Sequence, residues 1–202
     1  MRPHRLRSAL VTTLVVAAAA VSGTTSATAH TPAIASTAAP TSTLGVLTEL
    51  FAERLLLADK VAAAKYGTEL PIDDPARERQ ILDDVAARAA GLGLDPDSVT
   101  TVFRDQIEAN KLVQRGLYAR WDAHPAERPT ERPDLAKEVR PALDLITTRL
   151  LASLKETNPA RTDASCVPRL YTAATLSAYG HRLDVLHIKG LGRALPSVCT
   201  TE

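Results

Sequence analysis

An all-α fold is what this sequence predicts, and three observations predict it. Apolar residues recur at steps of four and three over long segments, Asp-Pro pairs stand where helices would start, and no alternating β-branched runs bounded by hairpin turns occur. The elements read as a bundle of about six helices. Before them, Arg2, Arg5 and Arg7 precede an uncharged apolar run from Ala9 to Val21, and small residues then end in Ala27-Thr28-Ala29. That is the pattern of a secretory signal peptide, residues 1–29, cleaved near Ala29, because the run is shorter than the roughly 20 apolar residues a spanning helix needs. Apart from His30 and Ile34, residues 30–42 are Ala, Thr, Ser and Pro without periodicity and read as a flexible leader. Residues 43–202 read as a single helical domain with no membrane anchor, placed outside the cytoplasm by secretion or export to a periplasm.

The first helix is expected over residues 44–66, stopped by Gly67. The second starts with Asp74 as N-cap and Pro75 in its first turn and ends at Gly91. Asp95 and Pro96 repeat that device for a third helix, which continues to about His124. A Pro-rich link, residues 125–133, precedes a fourth over roughly residues 135–155, which Pro141 must kink or delay. Two shorter helices follow, around residues 167–179 and 183–195. Cys166 and Cys199 are an even pair in an exported chain and read as one disulfide rather than two buried thiols.

Removing the signal takes three of the 24 basic residues and none of the 23 acidic ones, so the mature chain has an acid excess of two. Cations spread evenly along such a chain offer no basic stripe for nucleic acid. The five histidines, His4, His30, His124, His181 and His187, show no zinc-type spacing, so no metal is expected. Gly91-Leu92-Gly93 reads as a helix end, and no Ser or Cys stands in a recognisable nucleophile motif.

Two helices carry polar residues where the core should be. The third reads Phe103, Ile107, Asn110, Gln114, Leu117, Trp121 at its four-three steps, and the first reads Leu47, Phe51, Arg54, Ala58, Val61, Lys65. An amide buried without a partner costs about 1–3 kcal/mol, so Asn110 and Gln114 need either a hydrogen-bond network or a ligand. Arg54 and Lys65 lie about three turns apart on one face. They either snorkel to water or share an anion in an apolar trough. At the start of the second helix Asp74, Arg77 and Glu78 lie within one turn of each other and are either a capped, solvated surface or further lining. Taken together these residues suit a small dianion.

The run Glu53-Arg54, Val61-Ala62-Ala63-Ala64-Lys65 and Leu70-Pro71-Ile72-Asp73-Asp74 leading to Arg77 resembles the secreted, gamma-type, all-helical (AroQ-class) chorismate mutases. So does residues 103–114, with Gln106-Ile107 and Asn110-Lys111-Leu112-Val113-Gln114. Arg140, Leu143-Asp144, Arg149 and the two cysteines carry the likeness through the second half. It implies an isomerase that turns chorismate into prephenate, chemistry on the way to phenylalanine and tyrosine, with no cofactor and usually in a homodimer whose active sites each lie in one chain. By this resemblance Arg54 and Arg140 pair with the substrate carboxylates, Arg77 assists, and Lys65 and Gln114 flank the ether oxygen. Asn110 takes the place of a small hydroxyl residue near a carboxylate, and Asp74 and Glu78 approach the substrate hydroxyl. One turn after Arg77, where some members carry an amide, this chain has Ile81 with Gln80 beside it.

The residue types suit the reaction. Chorismate carries two carboxylates and rearranges through a cyclic transition state that puts negative charge on the ether oxygen, so fixed donors and a held conformer suffice. Two other readings share these residues: an exported module that binds an anion or protein without turnover, and a related lyase that releases pyruvate from isochorismate.

Overall fold

The computed structural model describes residues 43–200; the expected signal peptide and leader lie outside the described residues. Among those residues there are seven α-helices and no strand: α1 (Thr43–Lys65), α2 (Pro75–Gly91), α3 (Pro96–Ala123), α4 (Arg140–Glu156), α5 (Asn158–Arg161), α6 (Cys166–Gly180) and α7 (Val185–Arg193). None is long and apolar enough to cross a membrane.

Helix α1 is the centre of the bundle and packs on α3, α4, α6 and α7. Its Leu44, Leu47, Leu50, Phe51, Leu55, Ala58 and Ala62 are all buried, so apolar residues occupy most of its circumference, as a helix enclosed by others requires. Truncating Phe51 to Ala there costs about 3–5 kcal/mol. Helix α7 approaches closely because Gly190 has no side chain: a Cβ would stand 2.8 Å from Val113 and 3.0 Å from Leu55.

The helix starts follow the local chemistry. Asp74 accepts from the backbone N–H of Arg77 at 3.0 Å, and Asp95 accepts from Ser98 at 3.0 Å, each with proline in the following first turn. Gly67 ends α1 at a φ of 69°, the left-handed region that glycine enters without cost.

Pro141 delays the fourth helix, and the structure shows how. Residues Leu135–Val139 form one wide π-helical turn, in which Val139 N–H reaches back to the Asp134 carbonyl at 3.3 Å and Arg140 N–H to that of Leu135. A proline has no N–H to continue the ladder, so the wider turn ends where Pro141 enters and regular α4 begins at Arg140. This turn supplies Leu135 and Val139 to one side of the cavity described below.

The tail is tied down more heavily than its two expected helices suggest, and α5 is an additional single turn. Cys166 at the start of α6 is bonded to Cys199, with Cα atoms 5.8 Å apart. Arg161 of α5, buried, donates from Nε to the Val198 carbonyl at 2.8 Å and from Nη2 to Ser98 Oγ at 3.1 Å. Asp105 on α3 accepts from Arg193 at 2.6 Å and from the Ser197 hydroxyl at 2.7 Å. These contacts hold the last residues against α3 without entering the cavity.

Candidate active site

The cavity, about 660 Å³, lies between α1, α2, α3 and the start of α4, and the α1–α2 connection contributes Leu70, Pro71 and Ile72 to its lining. Every residue expected at the site lines it: Arg54, Lys65, Asp74, Arg77, Glu78, Asn110, Gln114 and Arg140. Both Gln80 and Ile81 line it too. The apolar remainder comes from Val61, Leu70, Pro71, Ile72, Ile107, Leu135, Val139 and Leu143.

Arg54 projects from the buried face of α1 and is 6 % exposed. Its Nη1 donates to Thr147 Oγ1 on α4 at 3.4 Å, its Nε has no partner among the described residues, and its guanidinium carbon stands 5.8 Å from the centre of the Phe103 ring. Burial pushes its pKa down to about 10, against the opposing pull of Asp144, so it remains protonated at neutral pH. A buried cation with an unused donor is costly to the fold, and an arriving carboxylate removes that cost. Arg54 therefore does not snorkel.

Lys65, half-buried at the end of α1, donates to the Pro71 carbonyl at 2.8 Å. Burial lowers its pKa, Asp74 and Glu78 oppose that, and Arg140 adds to the lowering. Arg140 is thus close enough for the two positive groups to feel one another. The Arg77 guanidinium donates from Nη1 to Gln80 Oε1 at 3.3 Å. None of Arg54, Lys65, Arg77 and Arg140 forms an ion pair among the described residues.

Gln114 is 3 % exposed, and its Nε2 donates to Asn110 Oδ1 at 2.6 Å. Its Oε1 is buried without a partner among the described residues. The amide bond lies within one helix, so it sets no register between helices, and it uses only one of the two hydrogens on Nε2. The other hydrogen remains available to a ligand.

Two residues bearing on the cavity were not singled out from sequence. Thr147 supplies the one hydrogen bond to the Arg54 guanidinium among the described residues. Lys111 lies on the α3 wall, 8 % exposed, and its ammonium touches Asp73 and Glu78, each at 3.2 Å, and Glu108. Burial lowers its pKa, but the hydrogen bonds to Glu108, Glu78 and Asp73 outweigh this and raise it overall. A lysine beside an amide in a helix gives little sequence signal of this kind. The clue was Glu108 one turn earlier.

Fold and cavity together define a class: an all-helical protein with a cavity among its helices whose lining gathers amides and several cations, four of which form no ion pair among the described residues. Residues 46–115 match the family described as chorismate mutase type II. The secreted chorismate mutase of Mycobacterium tuberculosis is 36% identical over 159 residues, covering 79% of both chains. That of Mycolicibacterium smegmatis is 34% identical, over 81% of this chain and 90% of the other. The solved chorismate mutase of Burkholderia thailandensis is 39% identical with a TM-score of 0.74, over 78% of this chain and 99% of that one. This chain belongs to the secreted chorismate mutases, a family of isomerases.

Proposed function

We propose that the cavity between α1 and α4 binds chorismate and rearranges it to prephenate, with Arg54, Lys65 and Gln114 carrying catalysis. The observation that supports this is the convergence of four cations that form no ion pair among the described residues with a buried amide that uses one of its two Nε2 hydrogens there. Arg54 and Arg140 take the two carboxylates, with Arg77 assisting, and this holds the compact conformer in which the new carbon–carbon bond can form. As the C–O bond breaks, the charge gathering on the ether oxygen is met by the Lys65 ammonium and the Gln114 amide. Donors fixed beforehand in a partly apolar cavity stabilise that charge without reorganising. Asp74 and Glu78 face the substrate hydroxyl, and Asn110 steadies Gln114 or reaches a carboxylate. No proton changes hands. The whole step is a redistribution of bonding electrons around a six-membered ring.

The chain is read as exported, with residues 1–29 removed near Ala29, residues 30–42 as a leader, and residues 43–202 as the working domain. We further propose that it works as a homodimer with each site inside one chain, as its family resemblance suggests. Purified mature protein incubated with chorismate tests the activity. Loss of the substrate's ultraviolet absorbance with prephenate as product supports it. Binding without turnover points to the anion-binding module, and pyruvate release from isochorismate with no prephenate points to the lyase.

A further inference from the structure

Lys111 lies one position off the polar stripe of α3, yet it is buried and meets carboxylates from three segments. Those carboxylates depend on it unequally. Asp73 also holds Arg115, at 2.6 and 2.7 Å, so the α1–α2 connection stays pinned to α3 without Lys111. Glu108 is on the same helix with a partly exposed side chain. Glu78 has both oxygens on Lys111, at 3.2 and 3.3 Å, and no other side-chain partner among the described residues. It is also the one of the three that lines the cavity.

An uncompensated carboxylate in that wall would repel an incoming dianion. It would also compete for Lys65, whose charge it already stabilises across the cavity. We infer that Lys111 is a positioning residue: its ammonium holds the Glu78 carboxylate against the α2–α3 wall, leaving Lys65 and the arginines free for the substrate. The inference rests on the proposed assignment of this cavity to chorismate.

Steady-state kinetics and melting temperatures of wild type, Lys111→Met, Lys111→Arg, Glu78→Gln and the Lys111→Met/Glu78→Gln double variant test it. Lys111→Met is expected to raise KM for chorismate on the order of tenfold, the effect of losing one charge-assisted hydrogen bond, with a smaller change in kcat. Lys111→Arg should recover most of that loss. In the Glu78→Gln background, where no carboxylate remains to be restrained, Lys111→Met should leave KM nearly unchanged. Lys111→Gln, which keeps a donor but loses the charge, is the second variant if Lys111→Met does not fold, and should show the same rise. An unchanged KM in Lys111→Met and Lys111→Gln, or an equal rise with and without the Glu78 carboxylate, overturns the inference while the cavity assignment stands. A wild type that converts no chorismate overturns both.

Discussion

The Arg54 guanidinium on α1 rests on the Thr147 hydroxyl of α4, 3.4 Å from Nη1 to Oγ1, with its Nε left in the interior without a partner among the described residues. A charge held this way serves a ligand better than it serves the fold. Arg54→Met, an apolar side chain of similar length, should keep the helical circular dichroism and leave the melting temperature unchanged or higher. Turnover of chorismate should fall by about 10²-fold or more, and Lys65→Ala should behave alike. Unchanged turnover in both variants would remove the site.

The disulfide should matter to stability before it matters to catalysis. Cys166 and Cys199 close a loop across 33 positions, which stabilises the fold by about 3–4 kcal/mol on chain-entropy grounds. The exported protein should be two hydrogens lighter than its reduced form. Reduction should lower the melting temperature more than the activity, because α6 and the tail contribute nothing to the cavity lining. Two freely alkylated thiols in the native protein would refute the bridge.

A buried histidine should give the fold an alkaline limit. His187 lies between Asp59 of α1, 3.0 Å from Nε2, and Asp184 at the start of α7, 2.7 Å from Nδ1, and Asp184 also meets Arg120 of α3. The hydrogen bond to Asp59, helped by Asp184, outweighs burial and raises the His187 pKa above 6.5. Burial alone would push Asp184 up, but the hydrogen bonds from His187 and Arg120 hold it at about 2. A raised histidine contributes stability that is complete below its unfolded pKa and lost as pH rises through the folded one. The depressed carboxyl contributes above its unfolded value and is lost as pH falls towards 2. Melting temperature should therefore decline from about pH 6 to pH 9 in wild type, and less steeply in His187→Gln. A steeper decline in the variant would contradict the assignment.

Much of this was legible in the sequence, for reasons that can be named. The four-three steps through Arg54 and Lys65 and through Asn110 and Gln114 placed those side chains on inward faces, because helical periodicity is local. Asp74-Pro75 and Asp95-Pro96 marked helix starts, since capping is also a matter of a few residues. What escaped depends on distant pairings. Lys111 looks like a surface lysine until Glu78, 33 positions away, is folded against it, and Thr147 meets Arg54 across 93 positions. The π-turn before Pro141 follows from the proline's missing N–H, but the sequence left kink and delay equally open.

The most direct test of the account is a pH profile of turnover for wild type, Gln114→Glu and Gln114→Ala. The wild-type rate should be nearly flat from mildly acidic to mildly alkaline pH, because an amide does not titrate there. Glutamic acid donates a hydrogen bond only while protonated, with an ordinary pKa of about 4.3, and Lys65 nearby would favour its charged form. Gln114→Glu should therefore lose activity towards neutral pH and regain part of it in acid, while Gln114→Ala should be slow by about 10²–10³-fold at every pH. A Glu variant that tracks wild type over the whole range would mean that Gln114 does not meet the ether oxygen, and would contradict the assignment of this cavity as a mutase site.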